Sequence, residues 1–158
     1  MEISVSNEQS KYSLAEDALV VAVRAVLADT PYVVGSVDIA IVDDHSMRQL
    51  NSQYLQHDRP TDVLSFVLER EASSLEGQIV VSIDTAVREA PQFGWSSDEE
   101  LLLYVVHGAL HLVGLNDKTA EETVQMRAAE TQYLKQLGIR QAVGRPEPKI
   151  RKTANIPN

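Results

Sequence analysis

Cysteine is absent from all 158 residues. That excludes disulfides and thiolate metal sites, so any metal must be held by histidine and carboxylate. Such a chain is compatible with a reducing cytosol. Positive charge is scarce: 14 Lys and Arg stand against 23 Asp and Glu, a formal net charge of −9. This balance argues against broad electrostatic capture of nucleic acid, although a local basic cleft is still compatible with it. Long hydrophobic runs are also missing. The most apolar stretch, Leu101 to Leu115, carries two histidines and is shorter than the roughly 18 residues a membrane span requires. The opening Met1-Glu2-Ile3-Ser4-Val5-Ser6 lacks the basic and apolar regions of a secretory signal. No internal repeat or low-complexity segment is present. The expectation is a soluble, cytoplasmic protein with no membrane partner.

A hydrophobic content of 44% with 23% charged residues is ordinary for a globular domain. The length suits one domain with a real core, expected over residues 1–140. Residues 141–158 form a basic tail with Arg145, Lys149, Arg151 and Lys152 near Pro146, Pro148 and Pro157. It is expected to be disordered, as a solvated extension in preference to an RNA-binding arm. Within the domain, Glu2 to Ser6 reads as an edge strand. Ser13 is a cap for a helix to about Asp29, with Leu14, Ala18, Val21, Ala22, Ala25 and Val26 as its apolar stripe. Val37 to Val42 reads as a buried strand, followed by a short helix carrying Met47, Leu50 and Tyr54, capped from Asp43, Asp44 or Ser46, with His45 on its surface. A polar turn, His57 to Asp62, leads into a strand at Val63 to Leu68. Glu69 to Glu76 reads as a charged loop, and Gly77 to Ile83 as a strand able to pair with the previous one. A helix from Thr85 to Gln92 follows. Ser97 to Glu100 and Thr119 to Glu122 have the capping-box pattern and open two further helices, the first apolar nearly all round. The order of elements predicts an α+β domain, a small mixed sheet packed against helices around that central apolar helix.

The end of that helix carries the chemistry. His107-Gly108-Ala109-Leu110-His111-Leu112-Val113-Gly114-Leu115-Asn116-Asp117 places three potential metal ligands in a short span. Residues four apart share a helix face, so His107 and His111 point the same way. Gly114 can leave the helix left-handed and bring Asp117 back toward them. Three protein ligands leave a tetrahedral ion one open position, which suits catalysis better than a closed structural site. The competing reading has two core histidines with hydrogen-bond partners, an ordinary helix cap at Gly114 and a turn residue at Asp117.

Two separated motifs resemble the YbeY family of metal-dependent endoribonucleases. One is His107-Gly-Ala-Leu-His111-Leu-Val-Gly114. The other is Leu50-Asn51-x-x-Tyr54 followed by Asp58-x-Pro60-Thr61-Asp62-Val63-Leu64-Ser65-Phe66, with Gly77-Gln-Ile-Val-Val-Ser as a further similar segment. The resemblance spans roughly Val37 to Leu137. It implies an α+β fold and one zinc ion per chain. It also implies a single-strand-specific endoribonuclease acting on ribosomal RNA, at the 3′ end of the small-subunit RNA and in ribosome quality control. The implied partners are ribosomal RNA, the small ribosomal subunit and its assembly factors. Three positions depart from the family pattern. Asp117 stands where the family has its third His, a substitution that keeps a competent ligand but also suits Mn²⁺ or another hard divalent ion. Leu55 replaces an Arg suited to clamping phosphate, and Val67 replaces a Pro.

Gly108 occupies the place of the general-base Glu in the peptidase motif His-Glu-x-x-His, which argues against peptide hydrolysis. For RNA, the expected metal ligands are His107, His111 and Asp117. Arg59 is the candidate for neutralising phosphate, with Thr61 and Ser65 lining a substrate groove. The alternative expectation is a non-catalytic, metal-binding ribosome-assembly factor.

Overall fold

A computed structural model describes residues 1–54 and 62–140, with the backbone of 153–157. Its elements are β1 (Glu2–Asn7), α1 (Glu16–Leu27), β2 (Val34–Val42), α2 (Asp44–Tyr54), β3 (Val63–Glu71) and β4 (Ser74–Ser82). These are followed by α3 (Ile83–Glu89), a 3₁₀ turn (Ala90–Phe93), α4 (Ser97–Leu112), α5 (Ala120–Gln136) and β5 (Thr153–Pro157). The sheet order is β1-β2-β4-β3-β5. β1 and β2 are parallel, as are β2 and β4, while β3 and β4 form an antiparallel hairpin. Parallel neighbours need a crossover, which α1 supplies between β1 and β2. This is the expected α+β fold with a mixed sheet.

The centre of the fold is α4, in which every residue from Glu100 to Leu112 is buried. A helix that apolar cannot face water on any side, so it packs between α1, α3, α5 and the β3–β4 hairpin. Fully burying one of its Leu or Val side chains is worth about 1.5–3 kcal/mol. The approach to the sheet is closest at Gly108. A Cβ there would lie 2.7 Å from Ile79 Cγ2, 3.2 Å from Val63 Cγ2 and 3.3 Å from Ser65 Oγ. The opposite face of the sheet has a smaller core of Ala40, Val42, Met47, Leu64 and Val80, covered by α2.

Several local expectations shift. α1 starts after Ala15, not Ser13, and buries Leu19, Ala22, Val23, Val26 and Leu27. Val21, placed in the expected stripe, is 53% exposed. A helix this rich in Val and Ala offers two overlapping apolar stripes, and packing against α4 selects the one containing Leu19. The cap of α4 is Ser96, one residue earlier than expected: its Oγ accepts from Glu99 N–H at 3.2 Å, and Ser96 N–H donates to Glu99 Oε1 at 2.8 Å. The charged segment from Glu69 is no loop. The strands continue to a tight turn containing Ala72 at φ 50°, because this end of the hairpin projects its charges into solvent. Pro91 ends α3 early and the chain continues as the 3₁₀ turn. Within the tail expected to be disordered, the backbone of Thr153–Pro157 pairs in parallel with β3, whose outer edge offers unused ladder groups. The other tail residues lie outside the described set.

Asp44 ties α2 to the start of α3. Its Oδ1 accepts from Ser82 Oγ at 2.7 Å and Thr85 Oγ1 at 3.1 Å, and its Oδ2 from Arg88 Nη1 at 2.9 Å. Burial pushes this carboxyl up, but the Ser82 and Arg88 hydrogen bonds, the Arg88 charge and the Thr85 hydrogen bond outweigh it, leaving it below its ordinary value. A depressed carboxyl stabilises the fold above its unfolded value, about 3.9, and that contribution is lost as pH falls through the folded value. Asp44→Asn is therefore expected to cost about 1.5–3 kcal/mol at neutral pH, in the range of hydrogen bonds to charged groups. Denaturant melts of both proteins should converge as the pH falls below the unfolded value and through the lower folded one; a deficit that does not shrink at all on acidification would contradict the assignment.

Candidate metal centre

The site is assembled by the end of α4 and the turn after it. His107 and His111 sit four apart on α4, and their rings are 4.6 Å apart at 81°. Both side chains are almost fully buried, at 1% and 2% exposure. The helix then closes in a Schellman turn: Gly114 N–H donates to His111 O and Leu115 N–H to Leu110 O, each at 3.0 Å. Gly114 has φ 111°, a conformation a side chain would strain. Arg70 Nη1 donates to Leu112 O at 3.0 Å, satisfying another helix-end carbonyl. Thr119 opens α5 with the expected capping box, and Thr123 Oγ1 lies 3.3 Å from Asp117 O. The loop between the helices is thus fixed at both ends, and Asp117 is held against the imidazoles.

The three functional atoms converge. His107 Nε2 and His111 Nε2 are 3.0 Å apart, and Asp117 Oδ2 lies 3.3 Å from the first and 3.4 Å from the second. Ligands bonded to a tetrahedral zinc at about 2.0–2.1 Å are separated by about 3.3 Å, so this triangle has the right size. The other ring nitrogens are already engaged. His107 Nδ1 is 2.5 Å from Glu130 Oε2, and His111 Nδ1 is 2.9 Å from Leu115 O. Both partners accept, so each Nδ1 donates and each Nε2 presents a lone pair. Two lone pairs and a carboxylate oxygen at such distances repel unless a cation lies among them. This donor set fits a divalent metal.

Electrostatics support the same fit. Burial works to raise the Asp117 carboxyl, but the His107 and His111 imidazoles beside it, when they carry the proton, outweigh burial and hold the group far below the usual carboxylate range. Positive charge at this point is favoured, and a cation among the three atoms supplies it in place of that proton. It is therefore ionised at neutral pH, as a ligand must be. Asp117 keeps 17% exposure while the histidines are sealed, so solvent reaches the site from its side.

The remaining expected site residues fare differently. Ser65 is fully buried, and its Oγ donates to Gly108 O at 3.2 Å, which gives it a packing partner in the core instead of a groove. Arg59 and Thr61, with Leu55, lie outside the described residues. Glu130 escaped the sequence reading. Its signal was an acidic residue inside the buried stripe of α5, which otherwise carries Thr123, Met126, Tyr133 and Leu134.

No helix among the described residues is long and apolar enough to cross a membrane. Residues 4–138 match the family described as Endoribonuclease YbeY. A protein of that name from Rhodopirellula baltica is 48% identical over 107 residues, 66% of this chain and 55% of the relative. Its namesake from Moorella thermoacetica is 36% identical over 155 residues, 89% of this chain and 99% of the relative. A solution structure from Thermotoga maritima superimposes with a TM-score of 0.60 at 26% identity, covering 87% of this chain and 89% of that one. With its two helix histidines, its glycine turn and a match over nearly the whole domain, the chain belongs to the YbeY family of endoribonucleases.

Proposed function

We propose that this protein is a metal-dependent, single-strand-specific endoribonuclease of ribosomal RNA maturation, with one zinc ion per chain held by His107 Nε2, His111 Nε2 and Asp117 Oδ2. The observation that carries the reading is the convergence of those three acceptor atoms at 3.0–3.4 Å in a setting where both Nδ1 atoms are otherwise engaged. Two imidazoles suit zinc, and the carboxylate makes Mn²⁺ a workable substitute. A divalent cation here supplies Lewis acidity for phosphodiester hydrolysis. His107 and His111 hold it from a rigid helix, and the buried rings keep water from one side. Asp117 closes the set and leaves the solvent side open to a phosphate. Its negative charge makes the site less electrophilic than three imidazoles would.

Arg59 and Thr61, on the segment entering β3, would bind the substrate phosphates in place of the family's Arg at position 55. Residues 1–140 carry the activity. The substrate is the 3′ end of small-subunit RNA in the cytoplasm, the partners are the small subunit and its assembly factors, and the role extends to ribosome quality control. Family membership together with a complete ligand set favours catalysis over a purely assembly-related role. A peptidase is disfavoured physically: position 108 faces Ile79 and Val63, away from the ligands, and has no room for a general base.

The test combines elemental mass spectrometry of the untagged protein with cleavage of a defined single-stranded RNA. Near one zinc per chain and metal-dependent cleavage are expected. Cleavage that persists in an Asp117→Ala, His111→Ala double variant would overturn the reading.

A further inference from the structure

Glu130 is 2% exposed on a helix whose neighbouring buried positions are filled by Thr123, Met126, Tyr133 and Leu134. Packing alone would be served by a leucine or methionine, and a buried carboxylate is tolerated only when paired. Its Oε2 lies 2.5 Å from His107 Nδ1, and its Oε1 is 4.0 Å from Arg127 Nη1, on a side chain only 11% exposed. The two histidines are thus supported unequally. His107 donates to an anion, whereas His111 donates to the neutral carbonyl of Leu115. An imidazole whose second nitrogen donates to a carboxylate is held in one tautomer and orientation and is the more basic ligand.

We propose that Glu130, backed by Arg127, is a positioning residue for the metal site. It locks the His107 ring with Nε2 toward the ion and makes His107 the stronger of the two histidine donors. This rests on the metal site proposed above. Glu130 is not a ligand in this arrangement; its route to the ion is through the His107 ring. It also links the site to α5, so the ligand geometry depends on a helix that contributes no ligand of its own.

The test measures Zn²⁺ affinity by competition with a chromophoric chelator and the visible absorption of the Co²⁺-loaded protein, in the wild type, Glu130→Gln and Glu130→Asp. Glutamine keeps the size and can still accept from Nδ1, so the charge alone is removed. Aspartate keeps the charge but withdraws it by one methylene. Each is expected to weaken Zn²⁺ binding about 10- to 100-fold and to shift the Co²⁺ bands. Thermal melting of the metal-free proteins separates a packing role. Lower metal-free stability with unchanged Zn²⁺ affinity and unchanged Co²⁺ bands would overturn the proposal while leaving the metal site standing. Should Glu130→Gln fail to fold, the same two readings on Glu130→Asp decide. If the wild type takes up neither Zn²⁺ nor Co²⁺, the metal-site reading itself fails, a different result from an unaltered variant.

Discussion

His111→Ala is expected to abolish zinc retention and RNA cleavage together while leaving a folded protein. Structural zinc sites with four ligands bind with roughly 10–16 kcal/mol, or about 2.5–4 kcal/mol per ligand, so deletion of one imidazole should weaken affinity by about 10²- to 10³-fold. The loss is concentrated at the ion because His111 otherwise makes one hydrogen bond to a backbone carbonyl, Leu115 O, in a loop pinned by the Gly114 turn and the Thr119 cap. His107→Ala should behave differently. It removes a ligand and also strips Glu130 of the imidazole 2.5 Å away. Leaving a buried acceptor without its hydrogen-bond donor typically costs about 1–3 kcal/mol, and more when the acceptor is charged, so this variant should melt below His111→Ala as metal-free protein. Zinc content, cleavage rate and denaturant melts on the two variants check both statements. Equal melting midpoints would remove the distinction between the histidines.

Substitution at Gly108 is expected to produce the largest loss of stability. Any Cβ there would lie 2.7 Å from Ile79 Cγ2, against the fully buried residues Val63, Ser65 and Ile79 of β3 and β4. For Gly108→Ala, about 1 kcal/mol of improved helix propensity offsets part of an overpacking cost of about 1–3 kcal/mol. For Gly108→Glu, the larger clash is joined by burial of a charge, several kcal/mol more. Against a typical domain stability of about 5–15 kcal/mol, little folded protein should remain. Urea melts of the alanine variant and soluble yield of the glutamate variant test this; a well-folded Gly108→Glu protein would show that α4 can lift off the sheet. The same contact explains why the peptidase motif cannot be installed at this point.

The parts of the fold legible in the sequence were those written in local chemistry. The apolar run of α4, the Thr119–Glu122 cap, the His-x3-His spacing and the glycine turn each state their structure within a few residues. What stayed hidden depended on distant partners. Leu19 and Val21 are equally apolar, and only the position of α4 decides which one is buried. Ser65 resembles a groove residue until the Gly108 carbonyl appears beneath it. Glu69 and Glu71 look like loop residues because the end of β3 is exposed from Leu68 to Glu71 and has no alternation, while the buried partner that holds it in the sheet, Leu75, lies on the next strand. The insertion of β4 between β2 and β3 has no local signature at all. Glu130 was visible as an anomaly, an acid in a buried stripe, but its meaning required His107, 23 residues earlier.

That separation has a consequence for timing. A chain synthesised at about 5–20 residues per second contains His107 and His111 roughly one to five seconds before Glu130 is added. Until α5 docks, the His107 ring has no carboxylate to orient it and α4 has one flank uncovered. On the site proposed above, the His107 ring would take its final orientation only once α5 has docked on α4, so the ligand geometry is completed late in the folding of the domain.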